Sequence, residues 1–228
     1  MLRVTSLLVF LFAFGCSNRL PAPVLLEESS PATAQLSAAE TVVNSLIFVD
    51  VDAKRISLIR ELVKFLITDF GPPINSFGKL SIRVESTPGQ HAFVEYYRNG
   101  DRIVVIDPLD FLSSEQHFIV HELFHALYQS EGMLALLSDA DAEGWATYAQ
   151  LRYKYKLIVD NEGIADAIRR ENRLSRKTEE RLRHLEAPLI TLDSKTRYDA
   201  YIVNALELFD LNHQSVRDEY RRLVLASE

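Results

Sequence analysis

Cysteine is nearly absent from this chain. Cys16 is the single one in 228 residues, so no intrachain disulfide forms and no thiolate cluster is on hand to bind a metal. Eight glycines and eight prolines are too few for a fibrous or low-complexity chain. Positive charge is in deficit: the formal net charge is −7 and the pI about 5.4. Nucleic-acid binding rests on neutralising phosphates, so no nucleic-acid partner is expected. Long apolar runs are missing too. The stretch from Val4 to Phe14 is apolar except for Thr5 and Ser6, but about eleven residues are too few to span a bilayer as a helix. What is there is 47% hydrophobic and 25% charged, the balance of one globular domain with a sizeable core.

Arg3 followed by that apolar stretch has the form of an export signal. It runs into Ala13-Phe14-Gly15-Cys16-Ser17, which resembles a bacterial lipoprotein signal, where a small residue precedes a cysteine that becomes lipidated and N-terminal. The resemblance implies a signal peptide over 1–15 and a lipid anchor on Cys16 that ties the protein to a membrane. With Ser17 rather than an aspartate next, it further implies an outer-membrane lipoprotein facing the periplasm. Ordinary secretion, with Cys16 incidental, is the alternative. Residues 16–35 are polar and carry Pro21, Pro23 and Pro31, and they read as a flexible tether. The domain is then 36–228.

Within it, Ser37 opens a short helix that runs to about Phe48. Apolar residues at Ile56, Ile59, Leu62, Val63, Phe65, Leu66 and Ile67 predict a second helix from about Val51 to Phe70, stopped by Gly71-Pro72-Pro73. Three strand signals follow over Leu80–Glu85, Ala92–Tyr97 and Arg102–Ile106. Asn99-Gly100 marks a tight hairpin turn between the last two. The spacing predicts a small antiparallel sheet and then a mostly helical C-terminal half, an α+β chain. Ser113 with Gln116 has the capping-box form and opens a helix to about Gln129. Ser138 with Asp141 opens another, to about Tyr155. Residues 164–185 are densely charged and read as a solvated helix with mixed-sign pairs. Two further helices fit Arg197–Leu211 and Ser215–Ala226.

The first of the two capped helices carries His121-Glu122-Leu123-Phe124-His125, an H-E-x-x-H pattern. Histidines four apart share a helix face, about 5.4 Å from each other along the axis. Their imidazoles can converge on one Zn²⁺. Apolar neighbours at Phe118, Val120, Leu123, Phe124, Ala126 and Leu127 place this helix in the interior. The second capped helix offers carboxylates at Asp139, Asp141 and Glu143. His117, four before His121, extends the histidine row but lies near the helix start.

His121-Glu122-x-x-His125 followed by Glu143, with the segment Glu143-Gly144-Trp145-Ala146-Thr147-Tyr148, resembles the gluzincins. These are zinc metallopeptidases whose third ligand is a glutamate on a second helix. The resemblance covers roughly residues 111–155. It implies a zincin-like fold, with the sheet packed on the buried motif helix, and Zn²⁺ held by His121, His125 and Glu143. It makes Glu122 the general base that passes a proton to the leaving amine. An aspartate ligand, Asp139 or Asp141, would place the chain in the aspzincin branch instead. Thermolysin-like members keep an aspartate one turn after the glutamate ligand to orient a histidine; Thr147 stands there in this chain, so Asp139 or a distant residue is left to do this. The group that stabilises the oxyanion comes from beyond the ligands in such enzymes. Tyr198 and Tyr201 lead, with His184 and His213 behind them. Ile103–Ile106 is the strand along which an extended peptide is expected to lie.

The implied activity is zinc-dependent hydrolysis of peptide bonds in the bacterial cell envelope, acting on a peptide or protein substrate. Two other readings stay open: a non-catalytic zinc-binding envelope lipoprotein with the same fold, and an amidase acting on a non-protein amide.

Overall fold

A computed structural model describes residues 39–73, 78–87, 89, 91–158, 160–183 and 192–227. The expected signal peptide, Cys16 and the tether lie outside them, as does His184. The chain folds as helix α1 (39–45), strand β1 (Ile47–Val49), helix α2 (Ala53–Phe70) and strands β2 (Leu80–Val84), β3 (Phe93–Tyr96) and β4 (Arg102–Ile106). A 3-10 turn, Pro108–Phe111, leads into α3 (Gln116–Tyr128). Then come α4 (Glu131–Leu136), α5 (Asp139–Lys154), α6 (Asn161–Asn172), α7 (Arg176–Arg183), α8 (Ser194–Phe209) and α9 (His213–Ser227). The class is α+β, with helices dominating after β4.

The sheet corrects the expected antiparallel one. Its order is β1-β2-β4-β3. β1 and β2 run parallel, as do β2 and β4; only β3 and β4 are antiparallel. The helix expected to reach Phe48 ends at 45, and Ile47-Phe48-Val49, two of them β-branched, joins β2 instead. α2 is the crossover that two parallel strands require. After β2 the chain passes over to the far edge and runs back as β3. It turns at Gly100, whose φ of 81° suits glycine, and returns as β4 into the gap beside β2. β4 is therefore interior, with Val104, Val105 and Ile106 fully buried. It is not the edge expected for a peptide; among the described residues the edge strands are β1 and β3.

α3 packs between β3 and β4 on one side and α5 on the other, and its apolar residues from Ile119 to Tyr128 are fully buried. The capping box expected at its start does not form. Glu115 stands at the cap with no side-chain bond, because the Asp107-capped 3-10 turn already feeds the backbone in through i→i+3 bonds, Glu115 N–H to Leu112 O among them. Gln116 instead accepts from the Tyr153 hydroxyl at 3.0 Å. The serine cap does form on α5, where Ser138 Oγ accepts from Asp141 N at 3.1 Å. α8 lies close along α5: a Cβ on Gly144 would come within 2.7 Å of Asn204 Cβ, so only glycine permits this approach. The single solvated helix expected over 164–185 is two, α6 and α7, and its mixed-sign pairs cross between elements: Arg169 with the buried Glu179 of α7 at 3.1 Å, and Arg183 with Glu207 of α8 at 3.2 Å.

Candidate metal centre

One turn of α3 and one turn of α5 face each other across the centre of the helical half. His121 Nε2 lies 3.1 Å from Glu143 Oε2 and 3.1 Å from His125 Nε2; His125 Nε2 lies 3.6 Å from Glu143 Oε1. Three atoms held at 2.0–2.1 Å by one tetrahedral ion sit ~3.3 Å apart. Glu143 meets the two histidines with different oxygens; with one ligand atom taken from each residue, all three lie within 4.8 Å of one another, close enough to gather on one ion. Among the described residues, this is the group of His, Cys, Asp and Glu side chains that could hold a metal ion. Asp139 and Asp141 remain at the start of α5, where Asp141 engages the cap. His117 packs against Phe118 with ring centroids 4.2 Å apart, buried and away from the cluster.

Two buried glutamines orient the rings. His125 Nδ1 is 2.6 Å from Gln129 Oε1, and Gln129 Nε2 donates to Ala142 O at 2.7 Å. A carbonyl only accepts, so that second bond fixes the amide with its oxygen toward the histidine. Nδ1 of His125 then carries the hydrogen, and Nε2 faces the cluster. His121 Nδ1 meets Gln150 Oε1 at 2.9 Å. Metal-bound histidines characteristically have such a partner on their other nitrogen. Neither Asp139 nor the buried Thr147 fills that role. Both glutamines follow from helical spacing: Gln129 is one turn beyond His125, and Gln150 two turns beyond Glu143. That periodicity was the available signal.

Three inward-facing acceptors need a cation between them. Without a metal, His125 holds one as a proton. Burial opposes its charge, but the hydrogen bond to Glu143 and the nearby charges of Glu122 and Glu143 push its pKa up to about 9. Burial likewise works against the Glu143 carboxylate, yet bonds from both histidines hold it well below the usual range. Glu122 stands outside this set, its Oε1 3.9 Å from His121 Nε2. Burial pushes its carboxyl up, with the two histidines opposing.

α8 separates the two tyrosines. Tyr201 lies three residues before Asn204, which packs on Gly144; its phenol is pushed up by burial and then by the charge of Glu143. Burial also raises Tyr198, but the charges bearing on it are Glu171 and Asp199. Of the two, Tyr201 is the one that feels the charge of Glu143. His213 is turned elsewhere, with Nε2 on Asp69 O at 3.0 Å and Nδ1 near the Tyr148 hydroxyl at 3.2 Å. Trp145 and Tyr148 are buried in the core, Trp145 against Tyr220 and Tyr148 against Phe209. No protein-family model, curated protein or solved structure matches this chain.

Proposed function

We propose that this chain is an exported, zinc-dependent hydrolase of peptide bonds with a zincin-like fold of the gluzincin type. The observation that carries the reading is the convergence of His121, His125 and Glu143, whose ligand atoms lie within 4.8 Å of one another, with Glu122 beside them and its carboxyl pushed up by burial. His₂Glu is a donor set suited to Zn²⁺, and it leaves a coordination position free. Bound there, Zn²⁺ supplies Lewis acidity that acidifies water and polarises a carbonyl. The chain supplies the rest. Gln129 and Gln150 hold the two imidazoles in place. Glu122 takes the proton of the attacking water and hands it to the leaving nitrogen. The edge strand β3, beside α3, replaces Ile103–Ile106 as the strand that pairs with an extended peptide. The lipoprotein-like start of the chain supports action in the cell envelope, anchored through Cys16.

The test is zinc content and cleavage of a broad peptide library by the purified protein. Glu122→Gln is expected to keep zinc and lose activity by ~10²–10⁴-fold, whereas Glu143→Ala loses zinc. A wild-type protein that takes up no zinc overturns the reading. Zinc uptake with no cleavage of any amide favours the non-catalytic lipoprotein, and cleavage of non-peptide amides alone favours the amidase. Globomycin-sensitive processing checks the anchor on Cys16.

A further inference from the structure

Amide hydrolysis places negative charge on the carbonyl oxygen as the carbon becomes tetrahedral, and a preorganised donor at that oxygen is among the strongest contributions to rate. Tyr201 on α8 feels the charge of Glu143. β3, which contacts α3, ends in another phenol.

Tyr96 sits directly across from Arg102 of β4, so the two side chains share one face of the sheet. That face carries α3, because the buried Arg102 donates from Nη1 to the carbonyl of Ala126. Ala126 adjoins His125 and lies one turn beyond Glu122. The Arg102 guanidinium is 5.6 Å from the Tyr96 ring centroid. Strand register and one buried anchor therefore hold Tyr96 beside the turn of α3 that bears the base and a metal-binding histidine. The neighbouring Tyr97 points to the other face, where its hydroxyl donates to Glu95 at 2.9 Å. The Tyr96 hydroxyl has no hydrogen-bond partner among the described residues, and the residue is 46% exposed. Core packing does not call for an aromatic ring there.

The surroundings suit a donor. Desolvation of its hydroxyl end, opposed by Arg102 and reinforced by the charges of Glu122 and Glu143, pushes this phenol up to about 12. Those two carboxylates come from α3 and α5, so the phenol lies under the influence of both sides of the cluster. It keeps its proton at neutral pH, and Arg102 over the ring offsets the electron density that a phenol gains as it donates.

On the hydrolase reading above, we propose that Tyr96 is a catalytic residue whose Oη–H donates a hydrogen bond to the oxyanion of the tetrahedral intermediate. The donor comes from the sheet edge, upstream of the motif helix, rather than from the helices that follow it. A peptide lying along β3 would present its scissile carbonyl between Tyr96 and the cluster.

Tyr96→Phe in the zinc-loaded protein tests this, because the variant removes only a hydroxyl without a partner and should fold as the wild type does. Zinc content and melting temperature are expected to stay unchanged. With a peptide that wild type cleaves, kcat should fall ~10²–10³-fold while KM moves by less than about threefold. Affinity for a phosphonate analogue of that peptide should fall in step with kcat, and affinity for the product peptide should not. A kcat within about threefold of wild type, or a change in KM alone, refutes the assignment while leaving the hydrolase reading intact. A wild-type protein that binds zinc and cleaves nothing refutes the hydrolase reading, and the assignment with it.

Discussion

Gln129 offers the sharpest test of how the metal centre is built. It is fully buried and spans the gap between α3 and α5, with His125 Nδ1 at 2.6 Å and Ala142 O at 2.7 Å. Gln129→Leu keeps the volume and removes both contacts. The imidazole loses the acceptor that fixes its hydrogen on Nδ1, so the ring can turn or carry its hydrogen on Nε2, which points the wrong group at the metal. Losing such a partner weakens metal binding ~10–100-fold, equivalent to about 1.4–2.7 kcal/mol. Folding is affected separately. The buried His125 Nδ1–H is left unpaired, at ~1–3 kcal/mol, while the Ala142 carbonyl, inside α5, keeps its helical donor; total stability is roughly 5–15 kcal/mol. The variant should fold, but with a lower urea midpoint. Gln129→Glu divides the two effects. It keeps an acceptor for His125, now charged, but turns an oxygen toward the Ala142 carbonyl. Its zinc affinity should hold or rise while its metal-free stability falls. Competition against a chromophoric chelator reads the affinity, and urea denaturation of the metal-free protein reads the stability. Wild-type zinc affinity in Gln129→Leu would refute the argument that this amide orients His125.

Two other outcomes follow from the same geometry. In the metal-free protein His125 has its pKa raised from 6.5 to about 9, so the stability it contributes is fully present below the unfolded value of 6.5 and is lost as pH rises through about 9. Glu143, depressed from 4.5, contributes in the opposite sense, above 4.5 and less as pH falls toward its folded value. Metal-free melting temperature should therefore peak between those two unfolded values, and zinc uptake at pH 7 should displace a proton from His125. Calorimetry in two buffers of different ionisation enthalpy checks the proton, and a melting temperature that is flat from pH 6 to 10 contradicts the linkage. Gly144→Ala forces its new methyl against Asn204, at 2.7 Å from that Cβ, and should cost about 1–3 kcal/mol by pushing α8 off α5. Denaturant unfolding measures it, and an unchanged midpoint would show that the helices are not held at this approach.

The parts of the site that sequence exposes are those set by helical period. His121, Glu122 and His125 fall on one turn whatever surrounds them, and Glu143 follows once a second helix is recognised. Gln129 and Gln150 obey the same period. They were missed because an isolated glutamine on a helix reads as solvent-facing until the packing of α3 on α5 buries it. Pairing across the sheet is non-local, so the hairpin at Asn99-Gly100 was legible and the parallel placement of β1 and β4 was not. One clue lay in composition: Ile103-Val104-Val105-Ile106 is apolar without alternation, the mark of a strand covered on both faces, and it argues against an edge role for β4. The two serine caps show the limit of motif reading. Ser113 and Ser138 sit in equivalent patterns, yet the 3-10 turn upstream of α3 has already occupied the backbone that Ser113 would cap. The tyrosines of α8 make the same point at the site itself. Tyr198 and Tyr201 are 60° apart around one helix, a separation that periodicity counts as the same face. α8 lies between α5 and α6, and that angle is enough to set Tyr201 under the charge of Glu143 and Tyr198 under that of Glu171. Which of them feels the charge of Glu143 is decided by the helix packed alongside, and not by spacing along the chain.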